Sequence, residues 1–475
     1  MKRERVKENF SEWFNDIVQE TGIMETRYPV KGLYVWMPYG LKLRNSVFSI
    51  VRQLLEQTCH QEVLFPLLIP ENLFEKEAEH IRGFGGQVYW VTRGGNDELD
   101  VKLALRPTSE TSMYPMFALW VRSHADLPLK IYQLVNIFRY ETKMTKPLVR
   151  LREVTTFKEA HTAHATEEEA EAQVKEAVNI YKQFFDELGV PHAVTKRPPW
   201  DTFAGAKYSI AFDTLAPDGR TLQIGTVHNL GQNFSRVYGI EYEKSDGSHE
   251  HVYQTCYGIS ERAIAAVVMA HGDDVGLCLP PDVAPIQVVI VPIPYKEKVS
   301  NVEQFAKSLK DDLSAAGFRV HLDDRDLRPG NKYYYWERRG VPLRVEVGPE
   351  EVTKDQVTVV PRTTGKRFSV SRKGLRERAR QLLVEITAEL RDRAQETFKG
   401  SINEVSVLGE AKEIIDRVGG VVRVPWCGQE SCGKDIAEKT GGDFLGEEVD
   451  GASPSGDCIG CSKKAKVKAL VARTY

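Results

Sequence analysis

The sequence predicts an α+β fold built on a large antiparallel sheet over residues 1–275. An α/β unit over 276–398 and a small α/β unit over 399–475 follow it. Three observations lead there. Strand-like alternation recurs on both sides of one long amphipathic helix in the first part. Composition then shifts at Gly276–Pro285, which holds three prolines, and strands alternate with helices beyond it. Four of the 7 cysteines gather near the carboxyl end. A length of 475 residues fits roughly three domains at about 150 residues each.

Along the chain, Leu43, Val47, Ile50, Val51, Leu54 and Leu55 recur at helical spacing, and Glu62–Pro66 reads as a strand stopped by proline. Lys130–Arg139 alternates as a strand, with Val149–Phe157 as its returning partner. Thr166 and Glu169 form a capping box for a helix carrying Ala170, Val174, Ala177, Tyr181, Phe184, Phe185 and Leu188 on one face, ended by Gly189. Gln223–Phe234 and His251–Tyr257 complete the antiparallel sheet. In the second unit, Ile286–Pro292, Arg319–Leu322, Leu343–Val347 and Gln356–Val360 read as strands. Helices are expected near Lys298–Ala316, Lys332–Arg339 and Gly374–Arg393. Strands alternating with helices favour a mostly parallel sheet here.

Charged residues are 28% and hydrophobic residues 41%, ordinary for a globular chain. The net charge of -3 gives no overall basic signature, so a nucleic-acid partner needs a local patch. Met1–Glu8 is charged and lacks a signal-like apolar core, and no apolar run approaches the roughly 18 residues of a spanning helix. These signals point to the cytoplasm and to no membrane partner.

Chemistry gathers in a few blocks. Arg139 and Glu141 sit two apart in an extended stretch, which puts them on one face. Arginine offers a planar fork that matches phosphate oxygens two at a time. Arg150-Leu151-Arg152-Glu153 follows. Ser260-Glu261-Arg262 opens an apolar helix whose start can hold the far end of a polyphosphate. Thr108 and Glu110 offer acceptors suited to an ammonium group. Gln223, Thr226 and His228 lie in a stretch dense in amides and hydroxyls, and Cys256 precedes Gly258. His161 and His164 alone do not complete a metal site, and no metal triad is evident in this half. Near the carboxyl end, Cys427-x4-Cys432 and Cys458-x2-Cys461 suit a tetrahedral zinc with no open position. Pro361–Arg380 holds eight Lys or Arg and one acid. Arg338 and Arg339 adjoin Tyr333, Tyr334, Tyr335 and Trp336, a mixture suited to unstacked RNA bases.

The helix ending before Pro66, the Arg139 block and the Arg262 block resemble motifs 1, 2 and 3 of the class II aminoacyl-tRNA synthetases. Thr108-x-Glu110 resembles the amino-acid loop of the prolyl-tRNA synthetases. Residues 276–398 resemble the anticodon-binding domain that these share with threonyl, histidyl and glycyl enzymes. Only about 100 residues separate Arg152 from Gly258, which leaves no room for a large editing insertion. With the cysteine-bearing end and the terminal Tyr475, nearly the whole chain resembles the archaeal and eukaryotic type of prolyl-tRNA synthetase.

That resemblance implies a catalytic domain, an anticodon domain and a zinc domain, working as a homodimer on L-proline, ATP, Mg2+ and tRNA(Pro). It implies proline contacts at Thr108, Glu110, Arg139, His161, His228 and Cys256. It implies ATP contacts at Arg139, Glu141, Arg150, Leu151, Gln223, Thr226, Ser260 and Arg262, with Arg139 and Arg262 catalytic. Arg338 and Arg339 are expected on the anticodon. One departure stands out: Val154 occupies the place of the family's adenine-stacking phenylalanine, and Phe157 lies three residues on. The rival readings are a class II synthetase for threonine and a synthetase-like RNA-binding protein without catalysis.

The cysteine pattern yields a direct prediction. Elemental analysis of protein purified without chelator should find about one tightly held zinc per chain. Cys458→Ser should lose it, and metal-free wild-type protein would refute the site.

Overall fold

A computed structural model describes residues 2–74, 86–293, 299–451, 454 and 456–475. Lys298, expected to open a helix, lies outside the described residues. Among those described, an 11-stranded sheet dominates. Its spatial order is Ile402–Glu404, Val421–Trp426, Val467–Ala472, Asp443–Glu448, Ala193–Lys196, Tyr208–Leu215, Thr221–Gly231, Tyr253–Ile259, Glu153–His164, Leu129–Phe138 and Gln61–Glu62. Only the two outermost pairings are parallel.

The expected large antiparallel sheet is therefore present, but it does not stop at the first unit. Glu447 and Glu448 pair with Lys196 and Thr195, so the strands of the cysteine-bearing unit extend the first unit's sheet. No sequence signal marks that junction, because strand pairing across some 250 residues leaves no local pattern.

Helices cover the sheet's inner face. Pro38–Gln57 buries Leu43, Val47, Val51, Leu54 and Leu55, as its periodicity required. Its Gly40 is obligatory: a Cβ there would lie 2.1 Å from the Ile23 carbonyl oxygen. Glu167–Glu187 starts with the Thr166–Glu169 capping box. Arg262–His271 is buried from Ala263 to His271, apolar all round like a helix enclosed by other layers.

Three expected elements shift. The strand near Pro66 shrinks to Gln61–Glu62. Beyond it, Phe65 N–H donates to the Gln133 side chain at 3.0 Å instead of to a backbone carbonyl of that neighbouring strand. The return strand begins at Glu153, not Val149, because Lys146 and Arg150 close a turn on each other. The helix expected to end at Arg393 runs Leu375–Gly400, since Ala394 and Phe398 still find apolar partners in the first and third units.

The second unit's sheet has the order Val320–Leu322, Val288–Pro292, Leu343–Val347, Gln356–Pro361, Phe368–Ser371. Two of its pairings are parallel and two antiparallel, which corrects the mostly parallel expectation. The links after Val347 and Pro361 are too short for the crossover of about a dozen residues that a parallel return needs.

The proline-bearing stretch is packed rather than loose. Leu277, Leu279, Val283 and Ala284 join the first unit's core. Beside it, Arg362 of the second unit meets Asp273 of the first, Nη2 to Oδ1 at 2.6 Å and Nη1 to Oδ2 at 2.9 Å, with both side chains buried. The guanidinium holds the Asp273 carboxyl below its usual range against the opposing effect of burial.

Two predictions follow from this packing. Asp273→Ala should cost about 3–5 kcal/mol, because it removes the carboxylate that faces the buried Arg362 guanidinium. An unchanged urea midpoint would refute the clamp. Burial also pushes His60, His164, His228 and His271 down to about 4. Their unfolded value is about 6.5, so between these pH values the unfolded chain binds more protons than the folded one. Stability should therefore fall as pH drops from about 6.5 toward 4. Equal urea midpoints at pH 7 and pH 5 would contradict this.

Candidate active site

A cleft of about 430 Å³ opens on the outer face of the main sheet. Every residue expected to contact proline or ATP lines it. The two-residue period of the strands explains the gathering. On Glu153–His164, Phe157, Glu159 and His161 face the cleft, while Lys158 turns to the helix layer and bonds to Tyr181. Cys256 is the register partner of both His161 and His228, so three strands set these side chains in one row.

A bulge modifies this alternation. Val135 pairs with Phe157 and Ile137 pairs with Val154, so three steps on one strand answer two on the other. The extra residue brings Val154 and Phe157 to the same face, and both line the cleft. On the neighbouring strand, a Cβ at Gly258 would stand 3.0 Å from Phe157 Cζ and crowd that ring. The N–H groups of the bulge go to one buried carboxylate. Glu261 Oε1 accepts from Thr155 N at 2.7 Å and Thr156 N at 2.9 Å, and also from the Thr155 hydroxyl. Burial raises Glu261 to about 7 despite these donors. Sequence reasoning passed over Glu261, although it lies beside Arg262.

Three guanidiniums converge at one end. Arg262 is held by the carbonyls of Val149, from Nε at 2.9 Å, and Gln223, from Nη1 at 3.1 Å. Burial first, then Arg139 and Arg150, lower its pKa to about 10. It stays charged, and the crowding favours an anion with several charges. Arg139 Nε donates to Pro107 O at 3.1 Å. Arg139 and Glu141 lie just past their strand rather than on it, where Glu141 N–H closes a tight turn onto Arg139 O.

The other end is small and walled by polar groups. Thr108 donates its hydroxyl to Glu110 Oε2 at 2.5 Å. Gln133 Nε2 donates to Ser109 Oγ at 2.9 Å and to Glu159 Oε1 at 3.0 Å, and Ser109 also donates to Glu159. Arg106 anchors this segment through the carbonyls of Phe65, Pro66 and Asn136. Arg106, Ser109, Gln133 and Glu159 were not singled out, since their partners lie far off in the chain. His228 is set by Ser209 Oγ at 2.7 Å and packs on Phe203, and burial keeps it neutral. Burial, with Glu110 and Glu159 nearby, pushes the Cys256 thiol well above its usual value, which disfavours a thiolate nucleophile.

The structure corrects two site expectations. Glu110, His161 and Cys256 offer ligand atoms within 4.8 Å of one another, so this half does bring together three groups that could hold a metal ion, two of them by strand register. His164 is no part of it, being turned to Thr162 at 2.8 Å. Arg338 and Arg339 face the first unit instead of a free surface. Arg338 pairs with Glu20 and donates to Val275 O at 3.3 Å, while the Arg339 carbonyl accepts from Tyr39 at 2.9 Å and its guanidinium stacks on Tyr335. Local composition did not tell which side of the helix met the neighbouring unit.

The four clustered cysteines come together as their spacing requires. Cys432 and Cys458 sulfurs lie 3.4 Å apart, those of Cys461 and Cys427 3.6 Å, and all four fall within 4.8 Å. Thiolates about 2.3 Å from a tetrahedral zinc stand about 3.8 Å apart, so the set fits that ion.

Comparison with known proteins agrees with this geometry. Residues 89–271 match the model of the tRNA synthetase class II core domain (G, H, P, S and T). Residues 287–382 match an anticodon binding domain, and 408–475 the prolyl-tRNA synthetase C-terminal domain. A proline–tRNA ligase of Methanothermobacter thermautotrophicus is 56% identical over 96% of this chain and 94% of its own. The chain belongs to the prolyl-tRNA synthetase family. Within that family, the proline–tRNA ligase of Pyrococcus abyssi is 51% identical over the full length of both chains. The Giardia lamblia prolyl-tRNA synthetase solved with prolyl-adenylate superposes with a TM-score of 0.95, at 36% identity over 99% of each chain. The Cryptosporidium parvum prolyl-tRNA synthetase complexed with L-proline and AMP gives 0.92, at 34% identity over 99% of this chain and 96% of that one.

The bulge clamp is testable by stability alone. Glu261→Ala leaves buried N–H donors unsatisfied and should cost about 1–3 kcal/mol. Glu261→Gln keeps an acceptor and should cost less. Equal loss in both variants, or none in either, would refute the clamp.

Proposed function

We propose that this chain activates L-proline with ATP and transfers it to the 3′ end of tRNA(Pro). The observation that carries the reading is the two-ended cleft, with three guanidiniums at one end and a small acceptor-lined pocket at the other. In the first step a proline carboxylate oxygen attacks the α-phosphorus of ATP, and pyrophosphate leaves. In the second, the terminal ribose hydroxyl attacks the adenylate carbonyl and AMP leaves. No covalent enzyme intermediate is needed.

The protein's work is positioning and charge stabilisation. Arg139, between the two ends, takes the proline carboxylate and the α-phosphate. Arg150 and Arg262 take the outer phosphates, where helix Arg262–His271 begins. Glu141 accepts from the adenine amino group, and the base lies against Val154 and Phe157. Leu151, Gln223, Thr226 and Ser260 line the rest of the nucleotide path. Thr108 and Glu110 accept from the secondary ammonium of proline, and His161, His228 and Cys256 close the pocket around the ring. ATP enters as its magnesium complex, in which the metal shields the phosphate charge that the arginines do not reach.

For tRNA, exposed Lys366, Lys373 and Arg376 on the second unit are offered beside Arg338 and Arg339, which also make contacts within the protein. Leu64, Leu67, Leu68, Leu119 and Trp120 leave apolar surface exposed near Pro66, which supports a homodimer through that face. Among the described residues no helix is long and apolar enough to cross a membrane. Cytoplasmic work on these substrates is part of the proposal.

Pyrophosphate exchange tests the reading. It should depend on proline, with threonine giving no more than the amino-acid-free control. Arg262→Ala should reduce it by about a hundredfold or more, the loss of a contact strongest in the transition state. Near-normal exchange in a folded Arg262→Ala protein would remove Arg262 from the mechanism.

A further inference from the structure

The floor of the cleft holds a donor set that recognition of a saturated amino acid does not require. Cys256 Sγ lies 3.8 Å from Glu110 Oε1, while Glu110 Oε2 is engaged by Thr108. His161 Nδ1 is bonded to the Tyr114 hydroxyl at 3.0 Å. Its Nε2 is buried without a hydrogen bond, and Glu159 Oε2 stands beyond bonding range at 3.6 Å. All three side chains are at least nine-tenths buried, yet they line the open cleft.

An imidazole with one nitrogen anchored and the other bare is arranged as metal-bound histidines are. Thiolate, imidazole and carboxylate together suit zinc, with a fourth position left to the cleft. Ligands about 2.0–2.3 Å from a tetrahedral ion stand roughly 3.3–3.8 Å apart. The triad's separations, all within 4.8 Å, need only a small contraction to meet that. A divalent ion is matched in charge by the Cys256 thiolate and the Glu110 carboxylate, and Glu141 and Glu159 remain as carboxylates near Arg139.

We propose that Glu110, His161 and Cys256 form a zinc site that excludes the amino-acid ammonium, making zinc an inhibitor competitive with proline. This rests on the reading of Thr108 and Glu110 as the ammonium site. On binding, the Cys256 S–H bond breaks, a sulfur–zinc bond forms and the proton leaves through the open cleft. No electron changes hands.

Cobalt chloride is the probe, added to full-length protein that retains zinc on Cys427, Cys432, Cys458 and Cys461. The expected result is a thiolate-to-cobalt absorption band at about one added ion per chain. It should vanish in Cys256→Ser and in His161→Ala, and saturating proline without ATP should displace it. In exchange assays, zinc chloride should raise the KM for proline by about twofold at the concentration that half-saturates the site, leaving kcat unchanged. Absence of the band in wild-type protein overturns the site. So does a band that persists in Cys256→Ser, because the ion then sits on the carboxyl-terminal cysteines. A Cys256-dependent band that proline cannot displace overturns the competition. Failure of the parent reading appears separately, as loss of proline dependence in exchange without added metal.

Discussion

Burial of the Arg262 guanidinium beside Arg139 and Arg150 is the constraint around which the first unit is organised. Burial lowers the pKa of the Arg262 guanidinium most, and Arg139 and Arg150 lower it further. A chain tolerates such crowding only where acceptors surround the charges. Val149, Gln223 and Pro107 supply carbonyls, and Glu110, Glu141 and Glu159 supply carboxylates near Arg139. The arrangement is unfavourable without an anion and favourable with one, which is the property a polyphosphate site needs.

The sheet makes this possible by joining segments that are distant in the chain. Arg262 follows the strand Tyr253–Ile259, Arg139 follows Leu129–Phe138, and Arg150 precedes Glu153–His164. These strands are adjacent, and Glu261 ties the start of the buried helix to the bulge between Val154 and Phe157. One carboxylate thus sets both the helix that presents Arg262 and the surface offered to the base. The Asp273–Arg362 pair and the Arg338–Glu20 pair hold the second unit against this body. The strand Asp443–Glu448 pairs with Ala193–Lys196 and binds the third to it through a shared sheet.

What was legible in the sequence was what is local. Arg139, Glu141, Arg150 and Arg262 were legible through their order along the chain, which resembles motifs 2 and 3 of the class II synthetases. The capping box at Thr166 and the apolar stripe of Pro38–Gln57 are equally local. What stayed hidden depends on partners far away. Ser109 meets Glu159, Gln133 meets both, and Glu261 meets Thr155 across a separation of 106 residues. Two members of the Glu110–His161–Cys256 triad meet only through strand register. The contacts of Arg338 with Glu20 and of Arg339 with Tyr335 stayed hidden too, since basic and aromatic composition is alike on a surface and at an interface between units. The bulge also escaped notice, because one extra residue does not disturb the alternation enough to be read without its partner strand.

The central claim is that the acceptor-lined end of the cleft selects proline and the arginine end drives its transfer. Charging of tRNA(Pro) transcript with labelled amino acid at limiting enzyme measures this most directly. The account predicts stable 3′ attachment of proline, with threonine leaving the transcript uncharged. Equal charging by threonine, or no charging by proline in a folded, zinc-replete protein, would contradict it.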